Sequence, residues 1–334
     1  MKINAYASHE PRGELKEYSF NNGDLGSEEV DIKVTYCGIC HSDLSMINNE
    51  WGMSQFPLVP GHEIVGEVVA SGNAVKNIKV GDRVGLGWLS ESCMSCEQCM
   101  EGNHHLCANS QATIVGRQGG FADYVRGHWS WAIPLPENID MSKAGPLLCG
   151  GITVFNPIIA AGVKPTDRVG VIGIGGLGHM ALNFLKHWGC EVIAFSSNPD
   201  KKEAILNMGA HKVVNSKSSE ELESLNGELD FILNTTNVTL DWDSYLSALA
   251  PKGRLHNVGA VLEPMAIPAF SLMMGQKTLG ASPIGSPALT KTMLDFCVRH
   301  NIYPIVEEYS MDNVNEAMEH LESGKARFRI VLKN

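Results

Sequence analysis

Two groups of cysteines have residue types that could bind a metal. The first group has the spacing C-x2-C-x2-C-x7-C and consists of Cys93, Cys96, Cys99 and Cys107. Four thiolates so close together match the closed, tetrahedral zinc sites that stabilise loops and leave no position open for a substrate. Ferredoxins also use C-x2-C-x2-C, but here no proline follows the fourth cysteine and no second such run exists. We therefore expect a structural zinc that contributes to folding of this loop.

The second group is less clear from spacing alone. Cys40 ends the run V-T-Y-C-G-I-C and is followed by His41, Ser42 and Asp43. One thiolate cannot hold a metal, so the other ligands must come from distant parts of the chain. His62 and Cys149 are candidates, although a single histidine is more often structural. The remaining cysteines are better explained as buried, small apolar residues: Cys37, Cys190 and Cys297.

A glycine-rich segment, Gly173–Gly178, has the pattern G-x-G-x-x-G. It follows a predicted buried strand, Arg168–Ile172, and opens a predicted helix, Leu177–Trp188, which is the context required for a dinucleotide-binding fingerprint. Its glycines, with Leu177, would let a pyrophosphate approach the helix N-terminus: Gly173, Gly175, Gly176 and Gly178. A tight turn without a ligand is the alternative.

The end of the next predicted strand, Val192–Phe195, bears on the choice of cofactor. NAD-dependent enzymes usually place Asp or Glu there to bind the ribose hydroxyls. This chain has hydroxyl and amide side chains there, followed by a lysine, namely Ser196, Ser197, Asn198 and Lys201. These donors suit a 2′-phosphate, so NADP(H) is favoured over NAD(H). An ordinary polar turn is the alternative, with Lys202 as a solvated surface residue.

Composition limits the class of protein. The chain has 334 residues, 44% of them hydrophobic and 19% charged, which suits two globular domains. A net charge of −11 argues against nucleic acid as a partner. No signal peptide or membrane span is expected, because the chain lacks an apolar run of sufficient length. Without secretion, the nine cysteines are better explained as metal ligands than as disulfides, and we expect a cytoplasmic protein in a reducing compartment.

Two patterns of secondary structure support these sites. Up to about residue 136, short strand-like runs with glycine-rich turns predict a small β-rich domain, in which the alternating Glu29–Tyr36 strand leads to Cys40. Residues 141–162 are predicted to be helical, with Cys149 inside the helix. From Asp167 onward, strands alternate with helices, which predicts a doubly wound parallel sheet. Near the C-terminus, helices at 290–300 and 313–323 precede a strand at 329–332, and this segment is expected to return to the first domain.

Taken together, five motifs resemble the zinc-dependent medium-chain alcohol dehydrogenases. They are V-x-Y-C-G-I-C-H-S-D, P-G-H-E, the four-cysteine loop, L-C-G-G-I-T-V-F and G-I-G-G-L-G-H. They follow the order of that family and span nearly the whole chain, and they are most similar to the cinnamyl-alcohol-dehydrogenase group and its bacterial NADPH-dependent aldehyde reductases. The resemblance implies a GroES-like catalytic domain at 1–152 and 289–334. It also implies a six-stranded Rossmann domain at 153–288.

The same resemblance implies roles for individual residues. Cys40, His62 and Cys149 match the ligands of a catalytic zinc, which acts as a Lewis acid, so two zinc ions per chain are expected. Asp43 matches a residue that orients the histidine ligand. Glu63 matches a carboxylate beside the metal, with a plain surface acid as the alternative. Ser42 matches the hydroxyl that exchanges the alcohol proton, although it could also cap a helix.

Further positions are implied to border the cofactor and the substrate. Arg329 matches a cation near the pyrophosphate, and its alternative is a surface charge on a strand. The other implied cofactor contacts are His41, Thr153, Thr235, Val258 and Gly259. Substrate-lining positions are Trp51 and Trp88, with Leu89 and Met274 as weaker candidates that core packing explains nearly as well. Bulky apolar walls suit an aromatic or aliphatic aldehyde better than a polyol.

One position departs from the family pattern. Many relatives have histidine five residues after the first ligand cysteine, at the solvent end of a proton relay, and this chain has Ser45. A serine hydroxyl passes a proton but does not store one near neutral pH. The outer relay is therefore expected to differ from that of those relatives.

The expected reaction is reversible hydride transfer between NADP(H) and aldehydes or primary alcohols. Two alternatives stay open at this point, namely a non-catalytic NADPH-binding sensor and a zinc-free quinone reductase of the same superfamily. The expected partners are a small aldehyde or alcohol and a second copy of the chain, with a tetramer also possible. The relatives commonly pair through the edge strand of the Rossmann sheet, here Thr278–Ser282.

Overall fold

The computed structural model describes all residues from Met1 to Asn334. The chain forms two compact units, of which the first contains Met1–Ile152 and Ile284–Asn334 and the second contains Thr153–Pro283. The chain thus re-enters the first unit slightly before residue 289, the predicted position. Ile284 is already buried there.

The first unit is built on a seven-stranded sheet. Numbered in chain order, its strands are β1 (Lys2–Ala7), β2 (Lys16–Asn21), β3 (Glu29–Ile39), β4 (Ile64–Ser71), β5 (Arg83–Leu86), β6 (Leu89–Glu91), β7 (Gln111–Ala112), β8 (Tyr124–His128), β9 (Ile133–Pro134), β16 (Val306–Ser310) and β17 (Arg329–Lys333). The main sheet has the order β16-β17-β3-β4-β5-β9, with β8 also paired to β3, while β1-β2 and β6-β7 form small separate sheets. The predicted β-rich domain is therefore present, and β3 continues beyond Tyr36 to deliver Cys40.

Short helices connect and cover these strands. They are α1 (His41–Ile47), α2 (Glu97–Met100), α3 (Met141–Ala144), α10 (Pro287–His300) and α11 (Val314–Glu322). Helix α10 begins earlier than predicted, because Ser286 accepts a hydrogen bond from the Leu289 N–H as its N-cap and Pro287 occupies the first turn. It ends at Asn301, whose backbone is left-handed.

Residues 141–162 are largely helical as predicted, but the helix is interrupted at Cys149. After α3 the chain tightens into a 3₁₀ turn, Gly145–Leu148, and Cys149 then adopts the non-helical angles φ −121° and ψ −79°. A new helix, α4 (Gly150–Ala160), begins immediately afterwards. No single helix is long and apolar enough to span a membrane. The bent pair formed by residues 141–148 and 150–160 meets the criteria of length and composition only when its two parts are counted together.

The second unit contains a parallel six-stranded sheet, as predicted. Its strands are β10 (Arg168–Ile172), β11 (Glu191–Ser196), β12 (Lys212–Asn215), β13 (Leu229–Asn234), β14 (Leu249–Asn257) and β15 (Thr278–Ala281), and the helices that follow α4 are α5 (Gly178–Trp188), α6 (Lys202–Asn207), α7 (Ser219–Glu223), α8 (Trp242–Ala248) and α9 (Ala269–Met273). The strand order is β12-β11-β10-β13-β14-β15. The order reverses between β10 and β13, which is where such sheets bind dinucleotides.

Candidate metal centres and dinucleotide site

The first candidate metal centre lies where three chain segments meet in the first unit. Cys40 follows β3 directly, and His62 lies just before β4, which is the antiparallel neighbour of β3 with Cys37 opposite Ile64. Cys149 occupies the break before α4. Their ligand atoms, with a carboxylate oxygen of Glu63, all lie within 4.8 Å of one another. Sheet pairing therefore brings together residues that are far apart in sequence.

Asp43 links two of these segments. Its Oδ2 accepts a hydrogen bond from the Cys40 N–H at 2.9 Å, and its Oδ1 accepts one from the Gly61 N–H at 2.8 Å. The same Oδ1 lies 2.9 Å from His62 Nδ1. If Nδ1 carries the proton, the opposite nitrogen, Nε2, presents its lone pair, and Nε2 is buried without a hydrogen-bond partner. Asp43 thus orients the histidine in the way that a metal ligand requires.

The charge distribution in this cluster also fits a divalent metal. The Sγ atoms of Cys40 and Cys149 are 4.0 Å apart, and the hydrogen bond from Cys149 holds the pKa of the Cys40 thiol well below its usual value. The same interaction, together with burial, raises the pKa of Cys149. Two thiols and an imidazole nitrogen form the donor set of a catalytic zinc with one open position, for which alcohol dehydrogenase is the standard example. The residues present therefore fit zinc.

Glu63 and Arg329 form a buried ion pair beside this cluster. Arg329 donates from its guanidinium to Glu63 Oε1 and, at 3.2 Å, to the Ile39 carbonyl oxygen. Glu63 is fully buried and Arg329 is 4% exposed, so the alternatives of a surface acid and a surface cation are wrong. Burial raises the pKa of Glu63 to about 7 although the arginine opposes that shift. The pair joins β17 to the end of β3 next to Cys40.

Helix α1 carries the hydroxyl groups near the cluster. Ser42 Oγ lies 3.7 Å from Cys40 Sγ, so this hydroxyl borders the cluster itself. Ser45 is buried and donates to Glu50 Oε2 at 2.7 Å. Hydrogen bonds from Asn48 and from Ser45 lower the pKa of Glu50, which is exposed at the surface. Sequence reasoning missed Glu50, although an acid five residues after Ser45 was visible.

The four-cysteine loop forms a second compact cluster. All four sulfurs lie within 4.8 Å of one another, and those of Cys93 and Cys99 are 4.0 Å apart while those of Cys93 and Cys107 are 3.4 Å apart. Four sulfurs at zinc–sulfur distance in a tetrahedron would be about 3.8 Å apart. Backbone N–H groups of Ser95 and Cys96 lower the pKa of Cys93 to about 6, whereas burial raises that of Cys99 to about 12. The loop therefore suits a closed zinc site.

The glycine-rich loop has the shape of a dinucleotide cradle. Gly173 has φ +86°, and a side chain at Gly178 would collide with the Gly173 carbonyl oxygen, whereas a Cβ at Gly175 would meet nothing within 4 Å. Thr235 Oγ1 donates to the Gly173 carbonyl oxygen at 2.6 Å and so fixes the turn. The turn is thus tight on its protein side and open at Gly175, as close approach of a pyrophosphate requires.

A cavity of about 520 Å³ adjoins this loop in the second unit. It contains the predicted cofactor contacts of the β11 turn, which are Ser196, Ser197, Asn198 and Lys201. Thr153 on α4 is half-buried, as are Val258 and Gly259 after β14. His41 is exposed at the start of α1 in the first unit. The cavity and the open side of the glycine loop together fit a dinucleotide.

The predicted substrate positions have different environments. Trp88 packs edge-to-face on the ring of His62 with centroids 5.0 Å apart, and Trp51 packs edge-to-face on Trp88 at 5.9 Å. Both tryptophans are half-buried, whereas Leu89 is buried in β6. Met274 follows α9 in the second unit and is 80% exposed. The aromatic pair is therefore the part of this set that lies beside the metal cluster.

Comparison with known proteins agrees with the geometry. The alcohol dehydrogenase GroES-like domain family matches residues 26–137, and the zinc-binding dehydrogenase family matches residues 176–299. Aldehyde reductase AdhA from Synechocystis sp. is 54% identical over 332 residues, which cover 99% of each chain.

Two solved structures are also similar over the whole chain. The cinnamyl alcohol dehydrogenase SbCAD4 from Sorghum bicolor has a TM-score of 0.95 and 36% identity, covering 100% of this chain and 98% of that one. The CAD from Helicobacter pylori complexed with NADP(H) has a TM-score of 0.92 and 31% identity, with the same coverage. The chain therefore belongs to the zinc-dependent medium-chain alcohol dehydrogenases, in the cinnamyl-alcohol-dehydrogenase group.

Proposed function

We propose that the protein catalyses reversible hydride transfer between NADP(H) and aldehydes or primary alcohols, chiefly aldehyde reduction in the cytoplasm. The observation that supports this most strongly is the convergence of Cys40, His62 and Cys149 around one point, with Asp43 behind the histidine. Similarity to an aldehyde reductase supports the same reaction. The intact ligand sets speak against the zinc-free quinone reductase, and no observation favours a non-catalytic sensor.

The residues of the first unit divide the work. Cys40, His62 and Cys149 would hold the catalytic metal, and the four-cysteine loop would hold a second zinc. Asp43 keeps the histidine proton on Nδ1. Bound zinc supplies a Lewis acid that polarises the carbonyl group, and NADPH supplies the hydride. Ser42 holds the proton that the alcohol product gains, because its hydroxyl borders Cys40 and can both donate and accept.

The second unit binds the dinucleotide. Gly173–Gly178 receives the pyrophosphate at the start of α5, and the β11 turn receives the adenosine end with its 2′-phosphate. Ser196, Ser197 and Asn198 supply donors there, and Lys201 supplies positive charge. The preference for NADP(H) rests on the absence of an acid at this strand end. The similar CAD from Helicobacter pylori is complexed with NADP(H), which supports the same assignment.

The tryptophan pair favours apolar, planar aldehydes. Trp88 is in contact with the ligand His62, and Trp51 extends the same surface. Flat indole faces and edges suit an aromatic or unsaturated aldehyde better than a polyol.

The edge of the parallel sheet supports a homodimer. Strand β15 has only one neighbour in the sheet, β14. Its Leu279 is 41% exposed, and the nearby Phe270 and Met273 are 71% and 66% exposed. An unpaired strand edge with large apolar side chains is an association surface, and a second copy could add its own β15 there.

One assay series tests the function. Benzaldehyde, cinnamaldehyde, a fatty aldehyde and a ketose are offered with NADPH and with NADH, before and after zinc chelation. The proposal predicts reduction of the three aldehydes with NADPH, loss of activity after chelation, recovery with added zinc, and about two zinc ions per chain. Binding of NADPH without turnover of any substrate, and one zinc per chain, would indicate the sensor instead.

A further inference from the structure

We propose that Lys217, which follows β12, is a second basic residue for the 2′-phosphate of NADP(H) and a determinant of cofactor specificity. This inference rests on the NADP(H) preference proposed above and extends it to a residue outside the β11 turn. Lys217 lines the same cavity as Ser196 and Lys201. Lys217 is about 20 residues beyond the end of β11, where the side chains that distinguish NADP(H) from NAD(H) are usually found.

The parallel pairing of β11 with β12 explains why two distant lysines border one cavity. Ser196 lies opposite Asn215 in the register of these strands. The Ser216 N–H then donates to the Ser196 carbonyl oxygen at 3.0 Å, so the two segments leave the sheet side by side. Lys201 extends from the first of these segments and Lys217 from the second. Ser196, at the end of β11, is therefore adjacent to the segment that carries Lys217.

The turn that carries Lys217 is held by its own hydrogen bonds. Asn215 Oδ1 accepts from the Lys217 N–H and the Asn215 carbonyl oxygen accepts from the Ser218 N–H, both at 3.0 Å. Ser218 also caps helix α7, since its Oγ accepts from the Glu221 N–H at 3.2 Å. The backbone of this turn is thus fixed, and the binding of a phosphate would need to order only the lysine side chain.

The charges that line the cavity also favour a phosphate beside Lys217. Neither the Lys201 nor the Lys217 ammonium group is in an ion pair with a carboxylate. The other charged residue that lines the cavity is Asp241. Asp241 accepts from the Ser244 hydroxyl at 2.6 Å, and its charge acts on the neighbouring Tyr245, whose pKa is raised by burial and by Asp241. Two unpaired cations on the β11–β12 side match a phosphate monoester, which carries a charge of about −2 near neutral pH.

Lys217 differs from Lys202 in its position relative to the cavity. Lys202 is exposed at the start of α6 and does not line the cavity, although it is next to Lys201 in sequence. It is therefore a matched control for a change of charge in the same region. A hydroxyl or amide can serve a ribose hydroxyl as well as a phosphate, whereas a cation favours the phosphate, so Lys217 should affect NADP(H) and spare NAD(H).

The test measures binding of the cofactor fragments directly, so it does not depend on zinc or turnover. Calorimetry on the full chain compares adenosine 2′,5′-bisphosphate with 5′-AMP, which lacks the 2′-phosphate, for wild type, Lys217→Gln, Lys217→Arg, Lys201→Gln and Lys202→Gln. We expect Lys217→Gln to weaken binding of the bisphosphate about 5- to 20-fold, which is the range for the loss of one partly exposed charge-assisted hydrogen bond. Its affinity for 5′-AMP should change less than about twofold. Lys217→Arg should retain most of the affinity, and Lys202→Gln should behave like wild type.

Two results would overturn the inference in distinguishable ways. If wild type favours the bisphosphate and Lys217→Gln retains that preference while Lys201→Gln loses it, the phosphate is bound without Lys217. If wild type binds both nucleotides equally, the NADP(H) preference itself is wrong and the role of Lys217 falls with it. Thermal unfolding of each variant identifies a folding defect, and for such a variant the preference ratio between the two nucleotides remains the deciding quantity.

Discussion

The two cysteine clusters of the first unit have similar ligand chemistry but very different surroundings. Around Cys40, all four candidate ligands are buried. Asp43 accepts from the Cys40 N–H, and Arg329 donates to Glu63 and to the Ile39 carbonyl oxygen. In the 93–107 loop, Cys93 and Cys96 are only half-buried, and the hydrogen bonds to sulfur come from within the loop, as from the Cys96 N–H to Cys93 Sγ at 3.4 Å. The α-helix that carries Cys99, α2, has only four residues.

This difference indicates whether a bound metal serves catalysis or stabilises the fold. The Cys40 cluster is positioned by strand pairing, so metal there can be used for chemistry without being needed for the fold. Two large apolar side chains of the loop are exposed, Met100 at 75% and Leu106 at 48%. A metal bound there contributes directly to ordering the loop. Removing one ligand at each site should therefore have opposite effects on activity and stability.

The largest effect is expected at Cys149. Cys149→Ala removes one of the three proposed zinc ligands of the Cys40 cluster, so it should reduce kcat by at least about 10³-fold, since Lewis-acid stabilisation contributes several kcal/mol. Zinc content should fall to about one per chain, and the unfolding temperature should change by only a few degrees. Cys297→Ala, at a fully buried cysteine of the same unit that lies outside both clusters, is the control and should retain activity. Full activity of Cys149→Ala would remove this residue from the metal site.

A smaller loss is expected when the support of the ligands is changed. Asp43→Asn replaces one carboxylate oxygen by an NH2 group that cannot accept a hydrogen bond, so the variant loses either the contact with Cys40 or the contacts with Gly61 and His62. Zinc affinity and activity should therefore fall about 10- to 100-fold. Excess zinc should restore part of the activity, as expected for a positioning residue. Asp31→Asn is the matched control, because Asp31 is another buried carboxylate of the first unit, on β3, and pairs with Arg126. It should lower stability and leave zinc affinity unchanged, and equal zinc affinities for the two variants would contradict the role of Asp43.

The same contrast explains what could be predicted from sequence. The loop ligands lie close together in the chain, so their spacing alone predicted a closed site. Cys40, His62 and Cys149 depend on the pairing of β3 with β4 and on a helix break, and only the family resemblance connected them. The buried pair of Glu63 with Arg329 spans 266 positions. No local pattern predicts such a contact, and the same is true of Lys217, which reaches the cofactor cavity through the β11–β12 register.

The loop site should show the reverse behaviour to Cys149. Cys96→Ser should lower the unfolding temperature by several degrees and expose residues 93–107 to proteolysis, because the loop then lacks its closed metal site. Freshly prepared enzyme should keep kcat within about threefold of wild type, since the Cys40 cluster is held by other elements. Heat inactivation and zinc content measure both parts. An immediate, complete loss of activity at an unchanged unfolding temperature would contradict the division of labour between the two sites.

The smallest effect concerns how the buried site exchanges protons with water. Ser45 donates to Glu50, and the lowered pKa of Glu50 keeps that carboxylate ionised throughout the assay range. Neither group should therefore titrate between about pH 5 and 9.

Ser45→His would introduce an imidazole beside a carboxylate, which raises the histidine pKa above about 6.5. The base form accepts the alcohol proton, so alcohol oxidation should gain a limb that falls as pH drops through about 7. Glu50→Gln in the same background should move that limb to lower pH, because the neutral amide no longer stabilises the imidazolium. Superimposable pH profiles for wild type and Ser45→His, with normal unfolding temperatures, would contradict this proposal. The proton would then reach solvent by a route that does not include position 45 on α1.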